Sequence, residues 1–126
     1  MKKKFSVSWK SSKKTRKQRK YRSSAPLHLK GKFLNATLSK DLRKKYGKRS
    51  IRVRKGDKVK IMRGQFKKKE GIVERVDTKK EKVYITKMEI EKKDGSKVLK
   101  PIVPSNLMIL ELNLDDKKRR AKLERK

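Results

Sequence analysis

The chain has no cysteine, a single histidine (His28), three prolines, and only one acidic residue, Asp41, in its first 55 positions. Without cysteine there is no disulfide framework, no zinc-ribbon spacing and no thiol nucleophile. One histidine and scattered carboxylates supply no nucleophile with an acid/base partner, so neither an enzyme nor a catalytic, metal or cofactor site is expected, and no small-molecule substrate. His28 has no carboxylate or second histidine beside it. It reads as a packing or hydrogen-bonding residue, the sharper alternative being contact with a phosphate or base. Long apolar runs are missing too. The start M-K-K-K-F-S-V-S-W-K lacks the core of a signal peptide, nothing approaches membrane length, and no basic helix has a wide apolar face. The expectation is a soluble, intracellular chain with no membrane contact.

What the chain has instead is positive charge. Its 126 residues carry 44 Lys and Arg against 13 Asp and Glu, a net +31. Self-repulsion of that size opposes compaction and implies a polyanionic partner. The charge is uneven: the first 55 residues hold 22 bases and one acid, the remaining 71 hold 22 bases and 12 acids. Apolar residues concentrate after position 50, so only the later part can bury a core. The organisation expected is a basic arm with a short helix over 1–50, a β-rich body over 51–113, and a charged helix over 114–126.

Ser11 to Arg22 (S-S-K-K-T-R-K-Q-R-K-Y-R) is almost entirely cationic, with Ser11 or Ser12 available as an N-cap if it becomes helical. Lacking an apolar face, it is expected to be disordered alone and to order on a phosphate backbone. The blander reading is a solvated tail or a localisation signal. Trp9 and Tyr21 bracket the tract, suited to stacking on unpaired bases or to contact with a neighbouring protein. The patch around Gly31, with Leu27, Leu29, Phe33 and Leu34, reads as a dock for the arm. In L-S-K-D-L-R-K-K-Y-G, Ser39 is placed to cap a short helix and Gly47 to end it. Leu38, Leu42 and Tyr46 would share its inward face, leaving Lys40, Arg43 and Lys44 outward.

The organising stretch is Arg54 to Asp77, R-K-G-D-K-V-K-I-M-R-G-Q-F-K-K-K-E-G-I-V-E-R-V-D. Val59 and Ile61 alternate with lysines, which predicts a half-buried strand. After Gly71 the alternation breaks at Ile72, Glu74 and Val76, which predicts a second strand that is bulged or strongly twisted. Between them a loop bounded by Gly64 and Gly71 presents Arg63, Lys67, Lys68 and Lys69. Cations on a turn with open backbone N–H groups suit phosphate oxygens. Further strands are expected at Lys82 to Thr86, on either side of an Asp94-Gly95 turn, and at Leu107 to Leu112. Close turns without helical periodicity predict a mainly β fold, a small closed SH3-like barrel with short terminal helices. Asp115 and Asp116 read as the start of the last helix rather than a metal or acid/base pair, with Arg120 spaced to meet Asp116 and Glu124.

The run G-D-K-V-K-I-M-R-G-Q-F-K-K-K-E-G-I-V-E-R-V-D resembles the KOW motif, and its flanks extend the resemblance. The preceding L-S-K-D-L-R-K-K-Y-G-K-R-S-I-R-V-R-K-G-D and the following M-E-I-E-K-K-D-G-S-K-V-L-K-P-I-V-P-S-N-L-M-I-L-E-L-N-L-D-D look like the archaeal and eukaryotic form of the universal large-subunit ribosomal protein twenty-four, twenty-six in eukaryotic nomenclature. The resemblance covers roughly residues 11 to 126. One departure is Lys68, where many relatives carry a small residue, often glycine. The resemblance implies a structural constituent of the large ribosomal subunit, in the cytoplasm. It would bind the 5′ region of large-subunit ribosomal RNA beside neighbouring ribosomal proteins and support early assembly near the peptide exit tunnel. The alternative is a KOW-type transcription elongation or antitermination module that binds RNA polymerase or nascent RNA. The residues expected to meet RNA fall in four groups: Lys13, Lys14, Arg16, Lys17, Arg19, Lys20 and Arg22 on the arm; His28, Arg43 and Lys44; Lys48, Arg49, Arg52 and Arg54 before the first KOW strand; and Arg63, Gly64, Lys67, Lys68 and Lys69 in the loop.

Overall fold

The computed structural model describes residue 5 and residues 11–125. In chain order it contains α1 (Thr15–Ser24), α2 (Leu27–Lys30), β1 (Asn35–Leu38), α3 (Lys40–Tyr46), β2 (Ser50–Arg52), β3 (Lys58–Ile61), β4 (Glu70–Asp77), β5 (Lys82–Ile85), β6 (Glu89–Glu91), β7 (Lys97–Leu99), β8 (Leu107–Glu111) and α4 (Lys117–Glu124). Short 3-10 turns follow α2 and precede β8.

Six strands form one sheet in the order β2-β1-β8-β3-β4-β5, and β6 and β7 form a separate hairpin. In place of a mainly β fold the described residues form a mixed one, 31% helical and 30% strand, a sheet of several strands with a few helices, β2 and β5 standing at the two ends of the sheet order. The difference arises at the chain's front. Residues 35–38, within the segment read as an arm, pair antiparallel with β2 and parallel with β8. Alternation explains that strand, because Ala36 and Leu38 are fully buried while Asn35 is exposed. It also moves Leu38 out of the predicted helix. Ser39 remains the N-cap of α3, accepting from the Leu42 N–H, and Gly47 ends it in the left-handed region.

β3 matches its pattern, with Val59 and Ile61 buried and Lys58 and Lys60 only half-covered. β4 is the long, irregular strand. Residues 70–72 pair with β3, residues 73–77 pair with β5, and the register slips between Val73 and Arg75. Gly71 lies inside β4 rather than closing the loop. A Cβ there would stand 2.5 Å from Ile85 Cγ2 and 3.1 Å from the Thr86 carbonyl oxygen, so the strands' close approach requires glycine. Both edges of the sheet are guarded. β2 is three residues long, ends in Arg52 and is flanked by Arg49 and Arg54, and Val83 of β5 exchanges two 2.9 Å backbone bonds with Ile102.

The core gathers Leu38, Ile51, Val59, Ile61, Val73, Val83, Ile85, Leu107 and Ile109 between the sheet and its coverings. Leu42 and Tyr46 of α3 pack on it, and Leu123 of α4 joins it. Asp116 caps α4 by accepting from the Lys118 N–H at 3.0 Å. Rather than meeting Arg120, its carboxylate is ion-paired with Arg54.

Candidate nucleic-acid interface

Within the arm, Thr15–Ser24 form a helix where the sequence suggested disorder. α1 buries no residue and has no side-chain N-cap: Lys14 stands at that position, and Ser12 instead accepts from the Lys14 N–H at 3.3 Å. What holds the helix is its far end. The Tyr21 ring lies 5.0 Å from Phe5 and meets Phe33 edge-on at 6.3 Å. Arg22 sits 5.1 Å over Phe33 and is ion-paired with Glu81. One aromatic and one base thus pin a helix that propensity and burial alone would not. Trp9, the other aromatic of the tract, lies outside the described residues. Arg16 and Arg19, at helical spacing, fall on the side of α1 away from Tyr21. Lys13, Lys14, Lys17 and Lys20 are also exposed. His28 is exposed on α2.

The loop between β3 and β4 is built from within. Phe66, 9% exposed, plugs it against the core. Lys67, Lys68 and Lys69 donate their backbone N–H groups to Gly64, Ile61 and Phe66 carbonyls at 3.1, 2.8 and 3.0 Å. The N–H groups of these three residues are therefore occupied, and toward an anion these three offer only their side chains. Gly64 turns at φ +98°, with open space where a Cβ would sit. Lys68 itself holds φ +70°, a conformation natural to glycine and costly for a residue that carries a Cβ. Arg63, Lys67 and Lys68 point outward, while Lys69 and Lys100 lie 5.2 and 5.6 Å from the Phe66 ring centre.

The bases before β3 divide. Arg49 is exposed, and Arg52 reaches Thr78 Oγ1 at 3.4 Å. Arg54 is engaged by Asp116, Lys48 by the Lys122 carbonyl, and Arg43 by the Leu38 carbonyl at 2.9 Å. Lys44 is exposed on α3. The cations offered outward are thus chiefly those of α1, the loop and α3, with several predicted residues also serving as internal braces.

Sequence reasoning missed two features here. One is Arg75, stacked 4.2 Å over Tyr84. The break in alternation at Glu74 was the signal that could have found it, because a bulge re-aims the side chains beside it. The other is a buried ion pair between Asp57 and Arg119, 62 positions apart, for which no local signal exists. No group of three or more His, Cys, Asp or Glu able to hold a metal occurs among the described residues. No helix of the described residues is long and apolar enough to cross a membrane.

Comparison with known proteins bears on the whole chain. Residues 12–126 match the family of ribosomal proteins designated L26 in eukaryotes and L24 in archaea. Three curated relatives carry the name large ribosomal subunit protein uL24. The one from Methanocorpusculum labreanum is 50% identical over 114 residues, covering 90% of this chain and 94% of its own. That from Methanospirillum hungatei is 49% identical over 108 residues, covering 86% and 90%. That from Methanocella arvoryzae is 52% identical over 111 residues, covering 88% and 89%.

Proposed function

The chain belongs to the family of eukaryotic L26 and archaeal L24 ribosomal proteins, and on that premise we propose that it is a structural constituent of the large ribosomal subunit. It binds large-subunit ribosomal RNA and supports early subunit assembly near the peptide exit tunnel, in the cytoplasm and without catalysis. The observation that carries the reading is a family match running along residues 12–126, far past the KOW stretch that transcription factors share. The relatives' names give the transcription alternative no support.

Electrostatics supply the affinity. With a net charge of +31, binding gains from release of counterions condensed on the RNA. Phosphate contacts from α1, α3 and the loop set register, and base-edge reading is secondary because A-form RNA hides its major groove. In this reading the arm over 1–50, the body over 51–113 and the tail over 114–126 keep separate tasks, with residues 35–38 also completing the sheet. The arm reaches along RNA, the body holds the loop, and the tail braces the body. Neighbouring ribosomal proteins are the other expected partners.

Gradient sedimentation of native extract after a moderate-salt wash tests the proposal. Co-migration with large subunits is the expected result. Migration with RNA polymerase, or retention at the top of the gradient, would overturn it.

A further inference from the structure

A cleft of about 730 Å³ opens between the segment Arg52–Lys55 and the bulged part of β4. Glu74, Arg75 and Val76 all line it. The register of β4 slips between Val73 and Arg75, and such a bulge re-aims the side chains beside it. The floor is apolar, supplied by Val53 and Val76. The rim is cationic. Arg54 is neutralised by Asp116, but Arg52, Lys55 and Arg75 face a single carboxylate, Glu74.

Arg75 is the distinctive element. Its guanidinium lies 4.2 Å over the Tyr84 ring, and Tyr84 does not line the cleft. The Tyr84 ring thus backs the cation of a residue that lines this cleft. The walls are rigid. The Arg52 carbonyl accepts from Arg119 Nη2 at 3.1 Å, and the Arg54 N–H donates to Asp57 Oδ2 at 2.9 Å. Gly56 and Asp57 are tied to Val73 by two 2.9 Å backbone bonds. A preformed site loses little entropy on binding.

We infer that this cleft receives an unpaired nucleotide of RNA, its base stacked on Arg75 over the valine floor and its phosphate between Arg52 and Lys55. The inference rests on the ribosomal RNA-binding reading and adds a site to it. A cleft of this volume is the size of a small-molecule site, which suits a single nucleotide. A planar guanidinium backed by an aromatic ring offers a surface on which splayed bases stack. An acidic segment of a neighbouring protein would match the charge but would leave the stacked guanidinium and apolar floor without a use.

Two measurements on the full chain test it. In filter binding to transcribed large-subunit ribosomal RNA, Arg75→Lys keeps the charge and removes the flat stacking surface. It is expected to lower affinity about five-fold or more at an unchanged salt slope. Wild-type affinity for Arg75→Lys overturns the site. In the second, RNA carrying 4-thiouridine is irradiated in the complex and the attached peptides are sequenced. Crosslinks from an unpaired nucleotide to Arg52–Lys55 or Glu74–Tyr84 are expected. Attachment of these segments to paired nucleotides alone, or no attachment of them to any nucleotide, overturns it. Failure of the wild-type chain to bind the RNA at all would instead overturn the ribosomal reading itself.

Discussion

Asp57 and Arg119 form a doubly hydrogen-bonded ion pair inside the protein, Nη1 to Oδ1 and Nη2 to Oδ2 both at 2.6 Å, with the two side chains 0% and 3% exposed. Each partner makes further hydrogen bonds, although Arg119 Nε is buried without one. Asp57 also accepts from the Arg54 and Asn113 N–H groups at 2.9 Å, and Arg119 donates to the Asn113 and Arg52 carbonyls. The pair thus joins the entry to β3, the chain after β8, and α4. Arg119→Ala, which leaves a buried carboxylate without its counter-charge, should destabilise the protein by about 3–5 kcal/mol. In a double-mutant cycle with Asp57→Ala, urea unfolding should give a combined loss well below the sum of the single losses. Simple additivity would show that the two residues are not coupled.

Neutralising Lys67, Lys68 and Lys69 together should weaken RNA binding and lower its salt slope by roughly 0.7–0.9 for each phosphate that these side chains neutralise. The backbone of these residues is occupied within the loop, so besides charge the variant loses the contact of Lys69 with the Phe66 ring. Binding isotherms at several salt concentrations measure the slope. An unchanged slope would mean that the lysines are merely solvated.

Lys68→Gly separates conformation from charge. At φ +70° glycine is the residue without a Cβ penalty, and the variant should gain about 0.5–1 kcal/mol in thermal or urea unfolding while losing one cation from the loop. Lys68→Ala should lose the cation without that gain. Equal stability of the two variants would show that the left-handed backbone carries no strain.

Glu81→Gln should loosen the arm. It removes the ion pair to Arg22 while leaving the Tyr21–Phe33 contact in place. Without RNA, limited trypsin digestion is expected to cut first among Arg16, Lys17, Arg19 and Lys20, faster in the variant than in the wild type, and ribosomal RNA should suppress cutting in both. Identical cleavage rates would mean that Glu81 does not hold the arm.

The pH response should be local. The Lys118 N–H, and after it the Arg54 guanidinium, hold the Asp116 carboxyl below its ordinary value of 3.8. A depressed carboxylate stabilises the fold above its unfolded pKa, and that contribution is lost as pH falls through the lower folded value. Protection factors at the Lys118 and Arg119 amides, which correct for the intrinsic pH dependence of exchange, should therefore be steady from neutral pH to about 4 and fall below it. Asp116→Asn should flatten that response. A full acid response in the variant would assign it to another group.

Much of this was legible in the residues themselves. Alternation located β3, the Ser39 and Gly47 pair bounded α3, and the broken pattern at Glu74 marked the bulge of β4. These are local signals, written in spacings of two to four residues. The KOW-like run and its flanks pointed to the family that the comparisons then showed. The strand at Asn35–Leu38 was not legible, because four residues carry too little pattern to reveal a partner more than seventy positions away. Nor was the loop's internal hydrogen bonding, which occupies N–H groups that its composition left open.

By itself, then, the sequence determined the sign and scale of the partner's charge, since a net +31 cannot be neutralised within the chain. It also determined the family and most strand positions. Only the tertiary structure decided which cations face outward and which brace the fold. Arg54, Arg43, Lys48 and Arg119 belong to the same basic composition as Arg16 and Lys67, yet they meet a carboxylate or carbonyl that folding brings to them. Charge is a property of each residue, but its availability depends on what the folded chain has placed beside it.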